Sequence, residues 1–229
     1  MLYRAIFAAL IAASFGGATA WAAGGAGARE RCLGDHDIEA GMRISACDAI
    51  INSDSLAEDD LGVALANRGT AYLDKENFVL ALDDYDQAIK LRPNDANVLQ
   101  GRCWARAVLK KDLELALADC NEALQAQPND ARVLGYRALV YLRLGLNETA
   151  IFDYSSALER EPGNAEYLFG RGQAKVRNGD IEGGKVDIAA AKAINAKIAE
   201  DFGRHERDDS GWSWAALLEY WRAVMKAIY

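Results

Sequence analysis

Two histidines and four cysteines have the widest chemical range in this 229-residue chain. A histidine near further histidines, cysteines or carboxylates would hold a metal or move a proton. His36 and His205 stand at opposite ends of the sequence, and Cys32 is the one cysteine close to the first. That is too small a ligand set for a metal site. No HExxH, GxSxG or phosphate-cradling glycine loop occurs. The glycines of "RNGD" and "IEGG" read as a turn and a close helix contact, and "NET" at Asn147 reads as a helix cap rather than a glycan acceptor. The sequence thus implies no catalytic residue, no metal and no cofactor. The chemistry left to the cysteines is oxidation, with three possible pairings.

Oxidation depends on compartment. The chain opens "MLYRAIFAALIAASFGGATAWAAGGAGARE", with one cation at Arg4, an apolar run from Ala5 to Phe15 and small-residue cleavage options at "ATA" and "AWA". This is the pattern of a secretory signal peptide over residues 1–22, followed by a flexible linker over 23–30. An uncleaved anchor is the alternative, but glycine, alanine and threonine dilute the stretch after Ser14. The reading is an exported protein, periplasmic or secreted, with no membrane span after cleavage. The formal net charge is -8, and losing Arg4 with the signal makes it more negative. Nucleic acid and anionic membrane are therefore not expected partners.

The elements that would carry such cysteines repeat. "ALDDYDQAIKLRPND" from Ala81 returns as "ALADCNEALQAQPND" from Ala116 and "AIFDYSSALEREPGN" from Ala150, placing Pro93, Pro128 and Pro162 at near-constant spacing. Before each copy, and once more in "FGRGQAKVRNG", runs a second segment with small and large apolar residues at helical spacing. Each unit is two helices. The order Leu65, Gly69, Tyr72, Ala81, Tyr85, Ala88, Pro93, and likewise Leu134, Ala138, Tyr141, Ala150, Tyr154, Ala157, Pro162, resembles the tetratricopeptide repeat. The fourth unit keeps Leu168 and Gly172 but carries Gly184, Ile188 and Ala196 where Ala, Tyr and Pro stood. The second has one extra residue, placed in the turn near Lys110 and Lys111. The resemblance implies an all-α, right-handed superhelical solenoid of four repeats over residues 62–95, 96–130, 131–164 and 165–198. Residues 31–61 would cap its N-terminal end through a lone helix burying Ala46, Cys47 and Ile50.

Two further features share the period. Arg68, Arg102, Arg137 and Arg171 recur in the first helices, and Asp84, Asp119, Asp153 and Asp187 in the second. They are read as one bidentate pair per repeat, setting register more than net stability. Cys103 stands where Gly69 and Ala138 stand, and Cys120 where Tyr85 and Tyr154 stand, so the two face each other across one helix pair. The favoured pairing is Cys103 with Cys120 and Cys32 with Cys47, against buried free cysteines acting as small hydrophobes.

The family resemblance also implies a binding scaffold, in which successive first helices line a concave groove for a partner's peptide or helix. Carried onto this chain, the groove residues are Ala66 and Thr70, Gln100 and Trp104, Leu139 and Leu142, then Phe169, Gln173 and Val176, with Arg143 and Arg177 at the edge. Each could instead pack against the next repeat. The lysine and asparagine side chains with which chaperone-adaptor members hold a terminal carboxylate are replaced by Ala66, Thr70, Gln100 and Trp104. After a polar stretch from residue 199, "WSWAALLEYWRAVMKAIY" predicts an amphipathic helix with Trp214 and Trp221 on its apolar stripe. It could bind a partner, cap the last repeat or join another copy. The leading reading is a non-enzymatic envelope scaffold with a protein partner, whether or not that partner is an enzyme. The alternative is a homo-oligomeric structural element assembled through the aromatic segment.

Overall fold

The computed structural model describes residues 27–34, 38–53 and 56–204, and every regular element among them is an α-helix. The signal and the aromatic segment with Trp214 and Trp221 lie outside the described residues. No helix among the described residues is long and apolar enough to cross a membrane. The chain divides after Pro93 into two compact units.

The first unit holds α1 (27–33), α2 (Ala40–Ile51), α3 (Glu58–Asp74) and α4 (Phe78–Leu91). Helix α1 begins inside the stretch read as linker. It is about two turns long and gains order from its contacts: Ala28 and Cys32 are buried with Ala46, Cys47, Ile50 and Ala64, and Cys32 is bonded to Cys47. Asn67 donates to the Cys32 carbonyl at 2.7 Å, and Arg29 pairs with Asp60. The α2 residues Ala46, Cys47 and Ile50 form its buried face. In the α3–α4 pair a Cβ on Gly69 would stand 3.0 Å from the Tyr85 ring. A side chain there would push the ring back by a few tenths of an ångström.

The second unit holds α5 (Ala96–Leu109), α6 (Leu113–Ala126), α7 (Ala131–Arg143), α8 (Asn147–Arg160), α9 (Ala165–Arg177), α10 (Ile181–Ile194) and a short α11 (Ile198–Arg204). Consecutive helices pack on each other, and α7 also touches α5 and α9. The "PND" and "PGN" tripeptides punctuate this. Gln127 and Glu161 leave the helical region because proline follows. Two residues past each proline, Asp130 and Asn164 accept from the first backbone N–H groups of α7 and α9.

Inside each repeat one helix turns back on the other through a left-handed residue: Glu76, Gly145 and Gly179 in the first, third and fourth. The second repeat uses two, Lys110 and Asp112, which is how its turn absorbs the extra residue. At the next turn Asn147 is the first residue of α8 rather than its cap, since Leu146 holds the cap position. The Asn147 Oδ1 atom is buried without a hydrogen bond.

Arg68, Arg137 and Arg171 each bond three helices at a time. Arg137 grips Asp153 through Nε and Nη2 at 2.6 and 2.9 Å, while its Nη1 donates to Asn121 on the preceding α6 at 2.9 Å. Arg171 does the same to Asp187 and to Ser155 of α8, and Arg68 to Asp84 and to Asp48 of α2. Arg102 forks onto Asp119 at 2.9 and 2.5 Å. The fork fixes the angle within a pair, and the third nitrogen fixes the next pair's register.

Candidate partner-binding site

Helices α5, α7 and α9 bring the candidate residues of the second unit to one side. Trp104 of α5 stacks on Tyr136 of α7, with ring centroids 4.7 Å apart. Gln100, one turn before Trp104, hydrogen-bonds Tyr136. Leu139 and Arg143 continue the α7 face, and Tyr167 and Glu166 enter from α9. Together with Tyr154 they line a cavity of about 50 Å³ that α11 closes with Ile198, Asp201 and Phe202. Beside it lies an open hollow of about 450 Å³, sharing Tyr136, Glu166, Tyr167 and Ile198, with Arg132, Glu161, Asn164 and Asn195 at its edge.

The expected lining therefore divides. Trp104, Leu139 and Arg143 converge on the cavity. Phe169 is buried, its ring 5.2 Å from Phe202. Leu142 is 1% exposed and belongs to the core, while Arg177 donates to its carbonyl at 3.1 Å and so ties α9 to α7. Gln173 and Val176 are half-buried on α9, with Gln173 Oε1 buried and lacking a hydrogen bond. In the first unit, Ala66 is half-buried and Thr70 is exposed, its hydroxyl 3.1 Å from that of Tyr85.

The residues that sequence reasoning missed are Tyr136, Glu166, Tyr167, Ile198 and Phe202. Ile198 and Phe202 had a signal, since "NAKIAEDF" places Asn195 as a cap before an i, i+4 apolar pair. The Asn195 side chain accepts from the Lys197 backbone at 2.9 Å. The polar stretch read as linker from residue 199 is thus partly helix. Tyr136 and Tyr167 flank the recurring arginines and leucines, and their direction follows from packing alone.

The electrostatics suit an apolar anchor with a polar rim. Glu166 is exposed at the rim, and partial desolvation against the site, then the Asp201 carboxylate, push its carboxyl up. Burial also raises the Tyr136 and Tyr167 hydroxyls, so both stay neutral donors. Among the described residues no three His, Cys, Asp or Glu side chains gather as a metal site. All four cysteines are bonded, Cys32 to Cys47 and Cys103 to Cys120. An aromatic wall, an aliphatic floor and mixed charges can hold one face of a peptide or helix.

Tetratricopeptide repeat family models match residues 62–95 and 137–196. No curated protein sequence matches the chain. Among solved structures, MamA from Desulfovibrio magneticus RS-1 is 19% identical, with a TM-score of 0.59 over 76% of this chain and 94% of its own. MamA from AMB-1 is 12% identical, with a TM-score of 0.59 over 76% and 98%. YrrB, described as a tetratricopeptide repeat protein with an unusual peptide-binding site, is 19% identical, with a TM-score of 0.54 over 69% and 79%. At these identities the likeness is one of fold. Helix pairs in register, prolines and small residues at the family's positions, and the two matching models show tetratricopeptide repeats over residues 62–95 and 137–196.

Proposed function

We propose that this protein is a non-enzymatic interaction scaffold of the cell envelope that binds a peptide or helix of a partner protein beside Trp104 and Tyr136. The observation that carries the reading is the half-exposed Trp104–Tyr136 stack over Leu139, rimmed by Arg143 and Glu166. Tryptophan, tyrosine and arginine dominate binding energy where they cluster at an interface centre. A peptide-binding site in the similarly folded YrrB supports the same use here. Export is supported by the two disulfides, which persist in oxidising compartments.

The test is crosslinked capture from envelope extract with the full chain and with Trp104→Ala, identified by mass spectrometry. A defined partner weakened about tenfold or more by the substitution, with thermal stability retained, is the expected outcome. Equal capture by both forms would remove the site. A chain that captures only itself would transfer the function to homo-oligomeric assembly through the aromatic C-terminal segment, and sedimentation mass would show it.

A further inference from the structure

We infer that the site beside Trp104 and Tyr136 is the seat of this chain's own residues 212–229, with α11 the anchor that delivers them. This deepens the proposed function and rests on its choice of site. Helix α11 has seven residues, too few to hold a helix in water. It is held by one face. Ile198 is 2% exposed, and Phe202 lies against Phe169. Ile198 and Phe202 stand at i and i+4 and line the same cavity as Trp104 and Tyr136. The site therefore already accepts a helical face with an aliphatic residue followed one turn later by an aromatic one.

The chain beyond Arg204 repeats that spacing. Leu217 and Trp221 are an aliphatic and an aromatic residue at i and i+4, on a stripe that continues through Val224 and Ile228. The link over 205–211 carries Glu206, Asp208 and Asp209 with Arg207, and the site's rim mixes Arg132 and Arg143 with Glu161, Glu166 and Asp201, so length and spacing rather than charge direct the segment there. Length permits the return. Seven residues span at most about 25 Å, and α5 is the second neighbour of α9 through α7, about 20 Å at ordinary helix spacing. A tether of this size gives an effective concentration near millimolar, so a weak intrinsic contact suffices. A partner would then bind by displacing this segment, and its helix would present the same aliphatic–aromatic spacing.

The experiment places a photoreactive benzoylphenylalanine at Leu217 in the full chain, with the crosslinked peptides mapped at dilutions where sedimentation shows a monomer. Crosslinks to peptides carrying Trp104 or Tyr136 are expected, falling about tenfold in Trp104→Glu. Crosslinks to another surface, to a second copy or to nothing would overturn the inference. If Trp104→Glu unfolds the second unit, the map from the otherwise unaltered chain decides alone. The map involves no partner. A crosslink at the site with no captured partner would keep this inference and remove the scaffold reading, while Trp104-dependent capture with the crosslink elsewhere would do the reverse.

Discussion

The second and third helix pairs share one framework and fill it with opposite residues. In α7–α8 the paired positions hold Ala138 and Tyr154, both buried, and the Tyr154 ring extends to Gly170 of α9, where an added Cβ would lie 2.3 Å from Tyr154 Cζ. In α5–α6 the same two positions are Cys103 and Cys120, joined covalently. The residue of α7 in the place of Gly170 is Tyr136, since each precedes its repeat's arginine. A compact disulfide in one pair goes with a tyrosine on the next helix, and that tyrosine builds the wall with Trp104.

The charges differ in parallel. One turn after the arginine, the third repeat has Tyr141, with the Arg137 guanidinium 5.9 Å from its ring centre. The second has Arg106 at that place, also bonded to Asp119 and 7% exposed. The fourth has Lys175, bonded to Asp187 at 2.9 Å. Where the aromatic is missing, a second cation takes its place over the aspartate. The pairs are therefore interchangeable as framework and distinct as surface.

The largest expected effect strains this comparison at its charges. Asp119→Ala leaves two crowded guanidinium groups without their shared carboxylate, and should cost about 5 kcal/mol. Asp153→Ala leaves one, and should cost about 3 kcal/mol, measured by urea unfolding. Replacing Arg137 and Asp153 together by Met and Leu should cost less than Asp153→Ala alone. A double-mutant cycle with no coupling would remove the register role.

The disulfide comes next. Replacing Cys103 and Cys120 together by alanine should cost about 3 kcal/mol in urea, given the 17-residue separation. Introducing Gly and Tyr there, after the pattern of Gly69 and Tyr85, should restore stability only when Tyr136→Gly is added. Recovery without that third change would refute the link between the disulfide and the site. Smaller again, Gly170→Ala should cost about 2 kcal/mol by forcing Tyr154 aside, whereas Tyr136→Gly should weaken partner capture more than it lowers the melting temperature.

The smallest effects depend on pH. Burial works against the Asp187 carboxylate, but its bonds to Arg171 and Lys175 outweigh that and hold its pKa below the ordinary value. A lowered folded pKa means stability present above the unfolded value and lost as pH falls through the folded one. Asp187→Asn should thus destabilise at neutral pH and cease to matter in strong acid. Glu166 has the opposite sign: its raised pKa means a penalty that grows as pH rises above the usual carboxylate range. Glu166→Gln should raise the melting temperature at pH 7 and leave it unchanged below the ordinary pKa. Equal differences at both pH values would contradict these assignments.

By itself the sequence determined the helix pairs, their period and the arginine–aspartate partners. Each of those follows from spacing: apolar residues at i, i+3 and i+4 make a face, proline ends a helix, and a charge recurring at every period meets the charge recurring beside it. It also put Cys103 opposite Cys120, because both sit at positions that face each other in every repeat. Only the tertiary structure decided which groove candidates border a cavity and which are core. Leu139 and Leu142 are three residues apart on one helix and both are buried, at 3% and 1% exposed, yet only Leu139 borders the cavity. The difference depends on the Tyr136 and Tyr167 rings and on α11, which arrives from outside the repeats. A repeating pattern fixes what all repeats share, and the site is made where neighbouring repeats differ.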